Sequence, residues 1–150
     1  MRAEIEAAGP EDLAGVLELL RKTSLPTEGV SEHISSGIVA RSEGAIVASA
    51  LLEIYEDGAL LRSVAVDPSS RGTGLGIRVT EAALAMARRL GVPAAFLLTT
   101  TAEGFFPRFG FTRIERGEVP STLQQSIEFQ SACPTSATVM RKVLFDDTHR

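Results

Sequence analysis

A glycine-rich loop joins a strand pattern to a helix pattern in the middle of the chain, and it restricts the fold more than any other feature. The loop reads RGTGLG over residues 71–76. Before it, residues 60–66 form an apolar, β-branched run typical of a buried strand, which ends at Asp67 and Pro68. After it, apolar residues recur at helical spacing until Gly91. The pattern predicts a strand, a loop and a helix packed as one α/β unit.

The loop has the properties of an anion-binding site, although the residues alone leave a second interpretation open. Glycines let the backbone approach a ligand closely, and the first N–H groups of a helix favour an anion. The loop is not a Rossmann fingerprint, which needs G-x-G-x-x-G and a later acidic residue, nor a Walker loop, which needs Gly-Lys-Ser/Thr. It is therefore either a diphosphate-binding loop or a flexible connection without a ligand.

Further strand and helix patterns alternate on both sides of this unit. A continuous apolar run over residues 94–99 follows the helix and predicts a second strand, parallel to the first. The other predicted strands cover residues 2–8, 38–41, 45–54, 111–115 and 137–144, and the other predicted helices cover residues 10–20, 27–35, 103–109 and 120–132. This order predicts a mixed α/β fold.

Composition fits a single domain and restricts its partner. The chain has 150 residues, of which 44% are hydrophobic and 23% are charged, enough for one buried core. A net charge of −4 without a basic run argues against a nucleic-acid-binding surface. The chain has no apolar stretch of membrane-spanning length and no signal-peptide pattern, and a lone cysteine, Cys133, fits a reducing compartment. We expect a cytoplasmic domain over residues 1–145, with a flexible tail over 146–150 and a small-molecule partner.

Two motifs resemble those of the GNAT N-acetyltransferase superfamily. The glycine loop, after a strand ending in Val-Ala-Val, resembles the family's acyl-CoA-binding motif R-x-x-G-x-G. Residues 99–111 are similar to the later segment N-x-x-A-x-x-x-Y-x-x-x-G-F, with departures at Thr99 and Phe106. The matching residues are Arg71, Gly74 and Gly76 in the first motif and Ala102, Gly110 and Phe111 in the second. Together the two matches cover residues 59–111 in the family's order.

This resemblance implies a fold and a cofactor site. The fold would be a mixed sheet of six or seven strands with helices on both faces, in which two central parallel strands separate. Acetyl-CoA would enter as co-substrate, and main-chain groups of residues 64–66 would bind its pantetheine arm and polarise the thioester carbonyl. A preorganised N–H aimed at a developing oxyanion contributes about 3 kcal/mol. The implied cofactor-binding residues are Val64, Ala65, Val66, Arg71, Gly72, Thr73, Gly74, Leu75, Gly76, Ile77, Thr99, Phe105 and Phe106.

The catalytic groups are less well determined. Phe106 stands where the family has a tyrosine that acts as general acid. The proton for the leaving thiolate must therefore come from water or another side chain, or the thiolate must leave without one. The catalytic candidates are Glu53, as general base, and the main chain at Val66. His33 and His149 are weaker acid or base candidates. No group of residues has metal-ligand spacing, so we expect no metal.

The candidate substrate-binding residues are Arg62 and two threonines, Thr100 and Thr101. Arg62 lies where the family often carries an acidic base, and it would either anchor an oxyanion of the substrate or form an ion pair with Glu53. The segments 61–66 and 97–102 and the helix that ends near Cys133 resemble the N-acetyltransferases associated with arsenic-resistance operons. Cys133 is interpreted first as a core residue, with binding of trivalent arsenic as the alternative.

The resemblance therefore implies acetyl transfer to the amine of a small, anionic, amino-acid-like molecule, such as an arsenical or phosphinate amino acid, by direct attack in a ternary complex. The alternatives are acetylation of a protein N-terminus or lysine and a non-catalytic acyl-CoA-binding module. A homodimer paired through C-terminal strands is a further expectation.

Overall fold

One mixed sheet carries every strand of the described part of the chain. The computed structural model describes residues 3–145, with their side chains except those of residues 131 and 132. The seven strands are β1 (Glu4–Ala7), β2 (Gly37–Ser42), β3 (Ala45–Tyr55), β4 (Gly58–Val66), β5 (Ala94–Thr99), β6 (Thr112–Ile114) and β7 (Thr138–Val143). Their order is β1-β2-β3-β4-β5-β7-β6. Strands β4 and β5 are parallel, and the other neighbours are antiparallel.

Helices cover both faces of this sheet. They are α1 (Leu13–Lys22), α2 (Val30–His33), α3 (Leu75–Arg89) and α4 (Ser121–Gln124). Side chains of a strand alternate between faces, and here Ala50 and Leu52 of β3 pack in one core cluster with α3, whereas Leu51 packs with α1. A third cluster places α4 over β5 and β7. The predicted fold, a mixed sheet of six or seven strands with helices on both faces, is confirmed.

Three predicted helices differ from the structure. The helix predicted over residues 27–35 begins only at Val30, as α2, and ends in a 3₁₀ turn, Ile34–Ser36. Over residues 103–109 only a short 3₁₀ turn forms, Phe106–Phe109. The helix predicted over residues 120–132 breaks after α4 and resumes as a π-helical turn, Glu128–Ala132. The N-cap of this turn is Ile127, and the side-chain oxygen of Ser126, one residue earlier, accepts the N–H of Glu128 at 3.2 Å. The predicted tail and His149 lie outside the described residues.

The two parallel strands separate soon after they meet. Strands β4 and β5 pair only at Ala59 with Ala95 and at Leu60 with Phe96. Strand β4 continues to Val66, while β5 keeps its full pairing with β7 on its other edge. Because β5 follows β7 rather than β4, a gap opens between the central strands. The predicted separation of two central parallel strands is present.

A bulge bends β4 at the point where the gap opens. Ser49 pairs with Ala65 and Leu51 with Arg62, so two residues of β4 lie opposite one residue of β3. One of the two, Ser63, has φ 58°, a left-handed conformation that is uncommon for serine. Its carbonyl accepts the hydroxyl of Ser49 at 2.7 Å. The bulge separates the buried first half of β4 from the end that faces the glycine loop.

Candidate active site

The glycine loop forms one wall of a groove beside the end of β4. Gly72 and Gly74 have φ values of 81° and 82°, in the left-handed region that glycine adopts without strain. Gly74 is the N-cap of α3, so the N–H groups of the next three residues have no helical acceptor. The groove has a volume of about 220 Å³ and is lined by Val66, Ser70, Arg71, Gly72, Gly74, Leu75, Gly76, Ile77 and Phe105.

Gly76 is where the loop approaches its neighbours most closely. A Cβ placed there would lie 3.4 Å from Cγ2 of Val66 and 3.6 Å from Cζ of Phe105. An alanine at position 76 would fit at these distances, but a longer side chain would have to extend into the groove. The groove therefore has the shape of a cradle that α3 supplies with partnerless N–H groups, which suits a diphosphate.

The gap between the central strands holds a second cavity of about 280 Å³. The N–H of Asp67 donates to Val47 of β3 at 2.8 Å. Because successive residues of a strand direct their N–H groups to opposite sides, the N–H of Val66 faces away from β3, into the gap. The residues lining this cavity are Ser24, Leu25, Pro26, Leu61, Arg62, Ser63, Val64, Leu97, Leu98, Thr99, Thr100, Thr101, Ala102, Phe106, Glu128, Cys133 and Pro134.

A buried charge cluster forms the floor of this cavity. The side chain of Arg62 is fully buried, and its Nη1 donates to Glu53 Oε2 at 2.9 Å. Its Nε lies 3.4 Å from Glu128 Oε2 and donates to the Ser63 hydroxyl at 3.1 Å. Its Nη2 donates to the carbonyl of Pro26 at 3.3 Å. Each nitrogen of the guanidinium therefore has a protein partner, and two carboxylates share one cation.

Glu53 is held in its ionised form. Burial by itself raises the pKa of Glu53, but hydrogen bonds from the Tyr55 hydroxyl and from Arg62 outweigh it and hold this pKa below its usual value. Burial, together with the neighbouring Glu53 carboxylate, raises the pKa of Tyr55. His33 lies on the same side, with Nε2 at 3.8 Å from Glu53 Oε1. A carboxylate held in this way binds cations well and accepts a proton poorly.

Glu128 and Cys133 differ from Glu53, because their pKa values are raised and their neutral forms are favoured. Burial is the largest influence on both, and it raises the pKa of Glu128 to about 7 against the opposing effect of Arg62. Burial, reinforced by the Glu128 carboxylate, raises the pKa of the Cys133 thiol to about 12. Cys133 is therefore a neutral thiol at physiological pH, which makes it a poor nucleophile and a poor metal ligand. Glu128 exchanges its proton near neutrality.

Comparison with known protein families accounts for this arrangement. A family model described as an acetyltransferase (GNAT) domain matches residues 33–113, more than half of the chain. The chain belongs to this GNAT acetyltransferase family. The predicted superfamily is confirmed, and the matched range includes the bulged strand, the glycine loop and the separated strands.

Curated relatives of this GNAT domain include amino-acid acetyltransferases of several bacteria. The protein of Pseudomonas aeruginosa PAO1 is 30% identical over 138 residues, which cover 85% of this chain and 32% of that protein. The protein of Pasteurella multocida is 28% identical over 135 residues, or 84% of this chain and 31% of that protein. The chain thus spans about a third of the length of the curated relatives it matches.

Solved structures share the GNAT fold. The chain superposes on Rv2747 from Mycobacterium tuberculosis, solved in complex with CoA, with a TM-score of 0.77 at 24% identity, over 95% of this chain and 99% of that one. It superposes on N-acetylglutamate synthase from Neisseria gonorrhoeae, complexed with coenzyme A and N-acetyl-glutamate, with a TM-score of 0.81 at 21% identity. That match covers 97% of this chain and 36% of the synthase chain.

The structure brings together most of the residues predicted for the GNAT site. Eight of the predicted cofactor-binding residues line the groove beside the glycine loop. The cavity between β4 and β5, called the gap cavity below, is lined by six further predicted residues: Arg62, Val64, Thr99, Thr100, Thr101 and Phe106. Thr73 lies instead in a separate depression with Arg78, and its hydroxyl donates to the carbonyl of Ser70. The Ala65 side chain packs under α1, which leaves only its main chain for a ligand. Glu53 and His33 line a different pocket, behind Arg62.

Sequence reasoning missed two residues that line the gap cavity, Glu128 and Ser63. Glu128 looked like the polar face of an ordinary helix, and a single acidic residue beside Phe129 gives no sign that it is buried. Ser63 had no sign of a bulge either, because a serine in an apolar strand fits regular pairing. The predicted ion pair of Arg62 with Glu53 is present, while its role as a substrate anchor stays a prediction.

Two negative findings concern the described residues alone. Between residues 3 and 145, no set of three or more His, Cys, Asp or Glu side chains is grouped as a metal site. None of the helices described there has the length and apolar character that crossing a membrane requires.

Proposed function

We propose that this GNAT domain transfers an acetyl group from acetyl-CoA to the amine of a small amino-acid-like molecule, by direct attack in a ternary complex. The observation that carries the proposal is the gap between β4 and β5, which opens directly beside the glycine loop. A groove for a diphosphate and a cavity for the thioester and the amine then adjoin each other along the end of β4.

The donor side follows from the backbone. The N–H groups of Leu75, Gly76 and Ile77 begin α3 and would bind the pyrophosphate of CoA, with the exposed Arg71 adding positive charge at the rim. The pantetheine arm would run past Phe105 along β4. The Val66 N–H would then donate to the thioester oxygen, which gains negative charge as the amine attacks the carbonyl carbon.

The leaving group needs little help. Phe106 occupies the place of the usual tyrosine acid, and its ring has no proton to donate. A thiol has a pKa of about 8.5, so the thiolate of CoA departs readily and takes its proton from the amine nitrogen or from water. The missing tyrosine is therefore compatible with catalysis.

The acceptor side favours a small molecule. A cavity of about 280 Å³ is lined in part by the segment from Ser24 to Pro26 and by Cys133 and Pro134, and this volume suits a small molecule better than a folded protein segment. Thr100 and Thr101 offer hydroxyl and main-chain donors to a carboxylate, arsenate or phosphinate group, with Arg62 beneath them. The names of the curated relatives, amino-acid acetyltransferases, support an amino acid as acceptor.

Thiol release measured with acetyl-CoA and a panel of amines tests the proposal. The panel contains L-glutamate, other L-amino acids, phosphinate and arsenical amino acids, lysine peptides and N-terminal peptides. We expect release that depends on a small amino acid. Release only with peptides would indicate a protein acetyltransferase instead. Tight acetyl-CoA binding in calorimetry, with no amine-dependent thiol for any member, would indicate a non-catalytic module and overturn the proposal.

A further inference from the structure

The two carboxylates on Arg62 differ in how firmly they are held. Glu53 accepts hydrogen bonds from Arg62 Nη1 at 2.9 Å and from the Tyr55 hydroxyl. Glu128 has a longer ion pair of 3.4 Å to Arg62 Nε and a weak hydrogen bond with the Cys133 thiol. Glu128 also lines the gap cavity, whereas Glu53 lines the pocket behind it. One carboxylate therefore fixes the arginine, and the other is presented to the bound acceptor.

The groups that face Glu128 come from four parts of the fold. They are Glu53 on β3, Arg62 on β4, Glu28 in the segment before α2, and Cys133 after the π-helical turn. Two of them carry negative charge, one carries positive charge, and Cys133 is a neutral thiol. Among the buried groups, Glu53 and ionised Glu128 supply two negative charges against the one positive charge of Arg62. This buried set then has an excess of one negative charge, which attracts a cation entering the cavity.

The turn that carries Glu128 is itself unusual. Glu128 begins the π-helical turn, and its carbonyl accepts the N–H of Cys133 at 3.1 Å. Such turns are rare and are frequently found at functional sites. Here the turn places Glu128, at 4% exposure, in the wall of a cavity shared with Val64, Thr99 and Phe106. A carboxylate in that wall would face the thioester and the amine that the proposed function places in this cavity.

We propose that Glu128 is the general base of the acetyl transfer, taking the proton from the ammonium group of the acceptor bound in the gap cavity. This inference rests on the proposed function. The ammonium loses one proton to a carboxylate oxygen of Glu128, and the nitrogen lone pair then forms the new C–N bond at the thioester carbonyl carbon. The C–S bond breaks with its electron pair on sulfur, and the second proton of the nitrogen goes to the thiolate. Glu128 returns its proton to water after the amide leaves.

The environment of Glu128 suits this role. A base works best when its pKa lies near the operating pH, and burial raises the pKa of Glu128 to about 7. Arg62 acts as a positioning residue, since its Nε contacts Glu128 while Glu53 neutralises its Nη1 edge. Glu53, our first choice as base from the sequence, then serves to fix Arg62.

The test compares pH profiles of wild type and Glu128→Gln, with acetyl-CoA and the panel amine that reacts fastest. We expect wild-type kcat/KM to rise with pH through an ionisation near 7, below that of the free amine. In Glu128→Gln this ionisation should be absent, and kcat at pH 7 should fall about a hundredfold or more. The difference in kcat between Glu128→Gln and the wild type should become smaller above pH 9, where the amine loses its proton to solvent. The KM for acetyl-CoA should stay unchanged, and the exposed Glu81→Gln on α3 serves as matched control.

The proposal fails if folded Glu128→Gln keeps the wild-type rate and profile. Should that variant not fold, the wild-type profile decides, because a profile showing only the ionisation of the amine overturns the proposal. A second measurement needs no activity. A carboxyl group whose pKa is raised on folding stabilises the folded state at low pH. The wild-type melting temperature should therefore fall as pH rises from about 4.5 to about 7. The part of this fall that comes from Glu128 should be absent in Glu128→Gln. A wild type that binds acetyl-CoA but acetylates no amine overturns the proposed function instead.

Discussion

The two halves of the site are built in different ways. The donor half is the glycine loop with the end of β4, and every residue that lines its groove except Phe105 comes from one stretch, residues 66–77. Its proposed contacts with CoA are made by main-chain N–H groups. The acceptor half joins β3, β4, the segment before α2 and the π-helical turn, and its contacts are made by charged side chains. The donor half depends on local backbone conformation, while the acceptor half depends on the whole fold.

The two halves also differ in what a substitution removes. The loop residues are largely exposed, with Arg71, Gly72, Thr73 and Gly74 all facing solvent, so a change there alters a surface. The side chains of the Arg62 cluster are almost fully buried, with Glu128 at the wall of the gap cavity, and a change there leaves a buried charge without a partner. Substitutions in the acceptor half should therefore affect stability first, and those in the donor half should affect cofactor binding alone.

Removing the shared cation should have the largest effect. Arg62→Leu leaves Glu53 and Glu128 buried without their cation, and loss of one partner of a buried pair reduces the free energy of unfolding by about 3–5 kcal/mol. Urea denaturation at pH 7.5 measures this loss. The loss should be smaller at pH 5.5, because Glu128, with its pKa near 7, is then already protonated in the wild type.

The control for this change is Arg88→Leu, at an exposed position of α3, which should alter the free energy of unfolding by less than about 0.5 kcal/mol. An Arg62→Leu chain as stable as this control would show that the cluster contributes little, and the contrast between the two halves would disappear.

The donor half is formed by neighbouring residues and the acceptor half by distant ones, and this difference explains which features could be predicted from the sequence. The loop, the strand before it and α3 follow from turn residues and periodicity within about 30 residues, so these elements were predicted without a structure. The CoA-binding role of residues 71–77 came from the family resemblance and stays a prediction. Glu128 was not identified, because its burial depends on how the chain after α4 packs against Arg62, 66 positions away in sequence. The broken helix that carries it was missed for the same reason, since Ser126 looks like any helix residue.

Strand β4 belongs to both halves, and its bulge provides the second test. Ser63 has φ 58°, where a β-branched residue is strained by about 1–2 kcal/mol. Ser63→Val also removes the hydroxyl that accepts Arg62 Nε, so the free energy of unfolding should fall by about 2 kcal/mol. Thermal and urea unfolding measure this.

Ser63→Gly separates the two causes in this test. It relieves the backbone and keeps only the loss of the hydroxyl, so it should lower the free energy of unfolding by about 1 kcal/mol or less. If valine and glycine have equal effects at position 63, the left-handed conformation does not contribute to the stability of the strand.

The third test concerns the donor half alone. Gly76→Leu directs its side chain into the groove between Val66 and Phe105, so acetyl-CoA should bind at least about tenfold more weakly, or about 1.4 kcal/mol. Calorimetric titration with acetyl-CoA measures the affinity. Gly76→Ala adds only a Cβ at van der Waals distance and should stay near the wild type. Equal affinities for leucine and glycine would mean that the groove does not hold the diphosphate.

The smallest effect is expected at Phe106, where the two halves meet. Its ring is buried and packs edge-on against Phe105 and Phe111, with centroids 5.1 and 5.9 Å away. Phe106→Tyr restores the hydroxyl that the family usually has, yet thiol release should change by less than about threefold, because a thiolate with a pKa of about 8.5 leaves without an acid. Phe109→Tyr, whose ring lines neither cavity, is the control. A tenfold gain confined to Phe106→Tyr would show instead that protonation of the thiolate limits the rate, and that the donor half lacks a group which the backbone alone does not replace.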